Sequence, residues 1–131
     1  MSFNADHALE TYKSLITISF EVLRSLLLLN GGAIIALLAY LGQAKNGAEI
    51  AKHATYPLSW FVGGLILSLM AFIGSYLTQL ALYQESVHSE TYKGSHTRWL
   101  WPSIVVGFLS LVAFAVGAFS AVAVLSRGTA L

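Results

Sequence analysis

Three long runs without a charged side chain limit this protein more than anything else in its sequence. Residues 25–42, 54–84 and 99–126 contain no Asp, Glu, Lys or Arg. A helix needs about 20 apolar residues to cross a hydrocarbon core of about 30 Å at 1.5 Å per residue. Each run meets that length or nearly so. The rest of the composition agrees: 56% of the chain is hydrophobic and 10% is charged. Soluble domains carry roughly 25% charged residues, so a polar shell here would be too thin to hold a globule in water. Disorder, which needs low hydrophobicity and high charge, is excluded as well. A net charge of +1 offers no basic field for nucleic acid. The absence of cysteine removes disulfides, thiolate metal sites and thiol catalysis.

The expected fold is an all-α membrane protein with three transmembrane helices in one membrane domain. Residues 1–24 form an amphipathic N-terminal helix continuing into a span over 25–42. A loop follows over 43–56, a second span over 57–84, a loop over 85–98, a third span over 99–126 and a tail over 127–131. A signal peptide would place positive charge before a short apolar run near the start. Here the run follows Asp6, Glu10 and Glu21, so the segment is expected to be retained.

Helix 1 is expected to begin at an Asn4 cap, with Leu9, Tyr12, Ile16, Phe20, Leu23 and Leu27 at helical spacing. From about residue 5 to about residue 42 it would measure about 55 Å, more than the bilayer. Helix 2 meets no Gly or Pro between Tyr83 and Gly94, so it too is expected to extend beyond the bilayer. Three spans put both projections on one side, as a short helical stalk. Tyr56, Trp60, Trp99 and Trp101 are interfacial anchors, since Tyr and Trp favour the headgroup level. Pro57 and Pro102 are expected in first helical turns, where proline loses no hydrogen bond. Lys13, Arg24, Lys93 and Arg98 lie on the N-terminal side, against Lys45, Lys52 and Arg127 opposite. That balance places the N-terminus in the cytoplasm.

Two constellations stand out. At 100° per residue, Asp6, Glu10, Lys13, Thr17, Glu21 and Arg24 fall within an arc of about 80°, with Gly31 on the same line. Glu21 and Arg24, three apart, can pair across one turn. Thr17, Glu21, Arg24, Asn30 and Gly31 form a candidate pore or oligomer stripe. Asn30-Gly31-Gly32 sits mid-span, where Asn lacks water and glycines weaken a helix. Close packing, with Asn30 bonded to a neighbouring helix, is the leading explanation. A break lining a cavity and a bond to its own preceding carbonyl are the others.

Helix 2 shows a small-residue face of Gly64, Ser68, Ala71, Ser75 and Gln79. Helix 3 shows one of Ser103, Gly107, Ser110, Gly117 and Ala121, interrupted by Phe114. Such faces draw helices together in lipid, and three helices do not easily use them all in one small bundle, which implies a homo-oligomer. The fragments at Ser68 and Ser110 match as S-L-x-A-F, a match that low-complexity sequence produces by chance.

Enzyme motifs are absent: no phosphate loop, no HExxH and no Gly-x-Ser-x-Gly. Histidines lie outside the spans, so no haem, other cofactor or metal is expected. His88, Glu90 and His96 gather in a polar loop as chance alone would allow. The segment EVLRSLLLLNGGA at residues 21–33 resembles one in small uncharacterised bacterial three-span inner-membrane proteins. The resemblance implies a bacterial cytoplasmic (inner) membrane and no particular activity. The expected function is non-enzymatic: an oligomeric pore or channel-like protein. The alternatives are a structural or accessory subunit of a larger membrane complex, and a holin-like or phage-defence membrane effector. The expected partners are the lipid bilayer, further copies of the chain and another membrane protein; nucleic acid is not among them.

Overall fold

The computed structural model describes residues 2–45, 47–87 and 95–128. Side chains are described for Glu10, Lys13, Ser14, residues 16–45, 47–83 and 100–127. Three helices account for nearly all of it: α1 (Ser2–Gln43), α2 (Gly47–Val87) and α3 (Ser95–Gly128). All three are long and apolar enough to cross a membrane, over Ile16–Gln43, Gly47–Tyr83 and Leu100–Arg127. Large apolar side chains point outward, among them Leu28, Ile35, Ile66, Ile73, Phe108 and Phe119. A soluble monomer rarely exposes so much apolar surface, so the chain has the character of an integral membrane protein.

The helices run up, down and up. Phe20 meets Phe72 with ring centroids 5.3 Å apart, while Asn30 further along α1 meets Gly64 further back along α2. On α3, Ser103, Ser110 and Phe114 meet Gly74, Ser68 and Phe61 of α2 in reverse order. The α2–α3 pair is packed most extensively; α1 leans on α2 and touches α3 least.

Three expectations are corrected. The loop placed over 43–56 is mostly helix, because α1 reaches Gln43 and α2 already begins at Gly47. Ala48, Glu49, Ala51, Lys52 and Ala54 favour helix, and burial of Ile50 and Ala54 holds the extra turns against the bundle. The tight link depends on Gly47: a Cβ there would collide with the Leu41 carbonyl oxygen. Pro57 and Pro102 stand inside α2 and α3, beyond their first turns. Each leaves the carbonyl four residues back without its helical donor. Helix α1 also starts at Ser2, ahead of the Asn4 cap.

Two apolar layers form the core. Leu23, Leu26 and Ala71 make one, with Val106 against it. Leu37, Ala54 and Phe61 make the other, joined by Ile34, Leu58 and Phe114. A polar layer separates them.

Candidate functional site: a buried polar layer and an open cleft

The polar layer consists of Asn30 from α1, Gly64 and Ser68 from α2, and Ser110 from α3. Asn30, Ser68 and Ser110 have no exposed surface. Unsatisfied polar groups in such surroundings cost several kcal/mol each, and the bonds here are correspondingly dense. The Asn30 Nδ2 group donates to the Leu26 carbonyl at 3.0 Å and to Ser110 Oγ at 3.3 Å. Ser110 Oγ lies 2.8 Å from the Gly64 carbonyl and 2.7 Å from Ser68 Oγ. Ser68 Oγ is in turn 2.9 Å from the same Gly64 carbonyl. Each hydroxyl has one proton. A consistent assignment has Ser110 donating to the Gly64 carbonyl and accepting from both Ser68 and Asn30, which ties three helices through one oxygen.

Asn30 Oδ1 receives no hydrogen bond. It abuts Gly64, where a Cβ would collide with it. The oxygen therefore rests against the glycine backbone, the arrangement in which weak Cα–H···O contacts occur between packed helices. Close packing and the bond to its own helix both hold for Asn30. The two glycines beside it play a different part: a Cβ on Gly31 would meet Leu65 Cδ1 at 3.9 Å, and one on Gly32 would meet nothing within 4 Å. Neither is required by packing within the chain.

The stripe assigned to α1 divides at this point. Thr17, Glu21 and Arg24 are exposed, whereas Asn30 is inside and Gly31 half-buried. Nine residues separate Glu21 from Asn30, and at 100° each they face opposite ways. Thr17 Oγ1 donates to the Lys13 carbonyl at 3.0 Å. Glu21 and Arg24 do not pair; among the described residues the one ion pair within 4 Å is Lys52–Glu49 at 3.5 Å. That pair is exposed on both sides and contributes about 0–1 kcal/mol.

The small-residue faces of α2 and α3 meet each other inside one chain. Gly64, Ser68, Ala71, Ser110 and Gly117 are buried, while Ser75, Gln79, Gly107 and Ala121 are half-buried. Gly74 is closed over by Ser103 Oγ, and Gly117 by the Phe61 ring. Phe114, which interrupts the α3 face, packs on Phe61 at 5.9 Å between centroids. These faces are thus not a free surface for a second copy. Sequence periodicity identifies these faces but not their partners, and it gives no sign of the part played by Gly74 or of Phe61 packing on Gly117.

Tyr56 and Trp60 form an exposed edge-to-face pair at 6.3 Å, and Trp101 is exposed. The Trp99 side chain, and those of His88, Glu90 and His96, lie outside the described residues. Distances along the helices relate the anchors to the polar layer. Nine residues back from Asn30 and Ser110 stand Glu21 and Trp101, about 14 Å away. Ten residues on from Asn30 stands Tyr40, about 15 Å the other way.

Beside the polar layer lies an open cleft of about 740 Å³, lined by residues of α1, α2 and α3. Val22, Leu26 and Glu21 of α1, Ile104 and Phe108 of α3 and Ser75 of α2 are among its lining residues. No family model, curated protein or solved structure matches this chain.

Proposed function

We propose that this chain is a non-enzymatic structural or accessory subunit of a bacterial cytoplasmic membrane, assembling with further copies of itself through the outer face of α1. The observation that carries the reading is Gly32. The close contacts of α2 and α3 are taken up inside the bundle, yet Gly32 looks onto open space. Ala36 and Ala39 are exposed on the same side, at positions i, i+4 and i+7. Small residues in that pattern let two helix backbones approach in lipid, where van der Waals contact supplies most of the attraction.

The Trp101 and Tyr40 levels are about 29 Å apart along the helices, close to the hydrocarbon thickness. On this reading the Asn30 layer lies near the midplane and Glu21 at the headgroup edge. The preceding part of α1 then projects beyond the bilayer beside the end of α2, on the cytoplasmic side favoured by four basic residues against three. The assembly role is preferred to a channel because the α1 stripe loses its deep half: Asn30 is turned into the bundle, and the line continues outward as Leu28 and Ile35.

Native mass spectrometry in mild detergent tests the reading. The parent chain should give an oligomer and Gly32→Leu a monomer of unchanged helicity. Gly63→Leu, equally open on α2, should remain oligomeric. A monomeric parent, or an oligomer indifferent to Gly32→Leu, would refute it.

A further inference from the structure

The cleft, with Glu21 in its lining and Arg24 exposed on the flank of α1 just outside that lining, has the features of a ligand site that the assembly reading does not use. The cleft begins at Thr17 on α1 and Leu100 on α3, and ends at Leu26 and Leu111. Those stretches measure about 14 and 17 Å, half of a hydrocarbon core of about 30 Å. It therefore runs the depth of one leaflet. Towards the outer end its lining carries Thr17, Ser19 and Glu21, and towards the inner end Leu23, Leu26 and Leu111. The volume of about 740 Å³ falls in the range of roughly 300–1,000 Å³ typical of small-molecule sites.

Charge identifies the occupant. Glu21 is the single charged residue in the cleft lining. Arg24 is exposed one turn nearer the midplane, and neither side chain is within ion-pair distance of a described charged group. A charge at the depth of Arg24 is costly without a partner. A zwitterionic phospholipid supplies both: an anionic phosphate next to the glycerol and a cationic amine further out. The Arg24 side chain is long enough to snorkel outward to the phosphate, and guanidinium favours phosphate oxygens. Glu21, nearer the water than Arg24, is then the carboxylate on the side of the amine.

We propose that this cleft is a binding site for an aminophospholipid of the stalk-side leaflet. One acyl chain lies between α1 and α3, the phosphate rests on Arg24 and the primary ammonium donates to Glu21. A primary ammonium has N–H groups for the carboxylate that a choline headgroup lacks, and a glycerol headgroup has no cation.

The test is native mass spectrometry of delipidated protein titrated separately with phosphatidylethanolamine, phosphatidylcholine and phosphatidylglycerol. It is run on the parent and on Gly32→Leu, so that loss of assembly and loss of lipid binding are read independently. Phosphatidylethanolamine should occupy one site per chain about fivefold more tightly than the other two, the worth of a charge-assisted hydrogen bond. Glu21→Gln should abolish that preference, and Arg24→Gln should weaken all three lipids. Ile104→Trp, which fills the cleft from an exposed position, should displace all three without altering helicity. Equal retention of the three lipids by the parent, or an unchanged preference in Glu21→Gln, would overturn the proposal.

Discussion

Gly64→Ala should loosen the whole bundle, by about 2–4 kcal/mol. The added Cβ would collide with Asn30 Oδ1, and it would also lie 2.8 Å from Cγ and 3.1 Å from Nδ2. Asn30 has no room to retreat. It has no exposed surface, and turning its amide breaks the bonds to Leu26 and Ser110. The alternative is for α1 to move off α2, which separates the layers around Leu23 and Leu37 together. Reversible unfolding in detergent mixtures, followed by circular dichroism, measures the loss. Coupling identifies the cause, because residues in contact give non-additive effects. In an Asn30→Ala background the same substitution should cost less than about 1 kcal/mol. An equal cost in both backgrounds would mean that Gly64 does not exist to accommodate Asn30.

How much of this was visible beforehand depends on how local the signal is. Absence of charge over 25–42, 54–84 and 99–126 is a property of each segment alone, and it located all three helices. The start of α2 misled because charges and Pro57 look like a boundary. In the folded chain Ile50 and Ala54 are buried, and that packing carries the helix back to Gly47. Proline inside a membrane-crossing helix is tolerated more readily than in a soluble one.

Asn30 shows a different limit. Its depth in the span grouped it with Glu21, yet nine residues of helix turn it to the opposite face. The angle was available in the sequence and outweighs the depth. For α2 and α3 the small faces were legible, but a face tells which side packs and not against what. The two S-L-x-A-F fragments look like chance in a sequence of low complexity, yet in the fold their serines are 2.7 Å apart and Ala71 and Ala113 are both buried. The cleft has no sequence signal at all, because its lining comes from three helices. Such a surface is a relation between elements, and no one helix encodes it alone.

Gly117→Ala separates these two levels, since it concerns a residue whose face was legible and whose partner was not. A Cβ at Gly117 would stand 2.8 Å from Phe61 Cε1 and 2.9 Å from Cδ1. Phe61 is 3% exposed and is held by Phe114, Leu37 and Ala54. Its ring cannot yield by rotating a flexible end, so the strain falls on the α2–α3 contact, the most extensive in the molecule. The expected loss is about 2–3 kcal/mol, as for an overfilled core. Phe61→Leu removes the ring at a cost of about 1–2 kcal/mol from the volume left behind. Together with Gly117→Ala it should be more stable than the sum of the two single losses predicts, because the new methyl enters the vacated space. The fluorescence of neighbouring Trp60 reports the unfolding. If Gly117 instead faced a second copy, Gly117→Ala would change the oligomer mass and leave the stability of the chain untouched. That outcome would return the α3 face to the intermolecular surface.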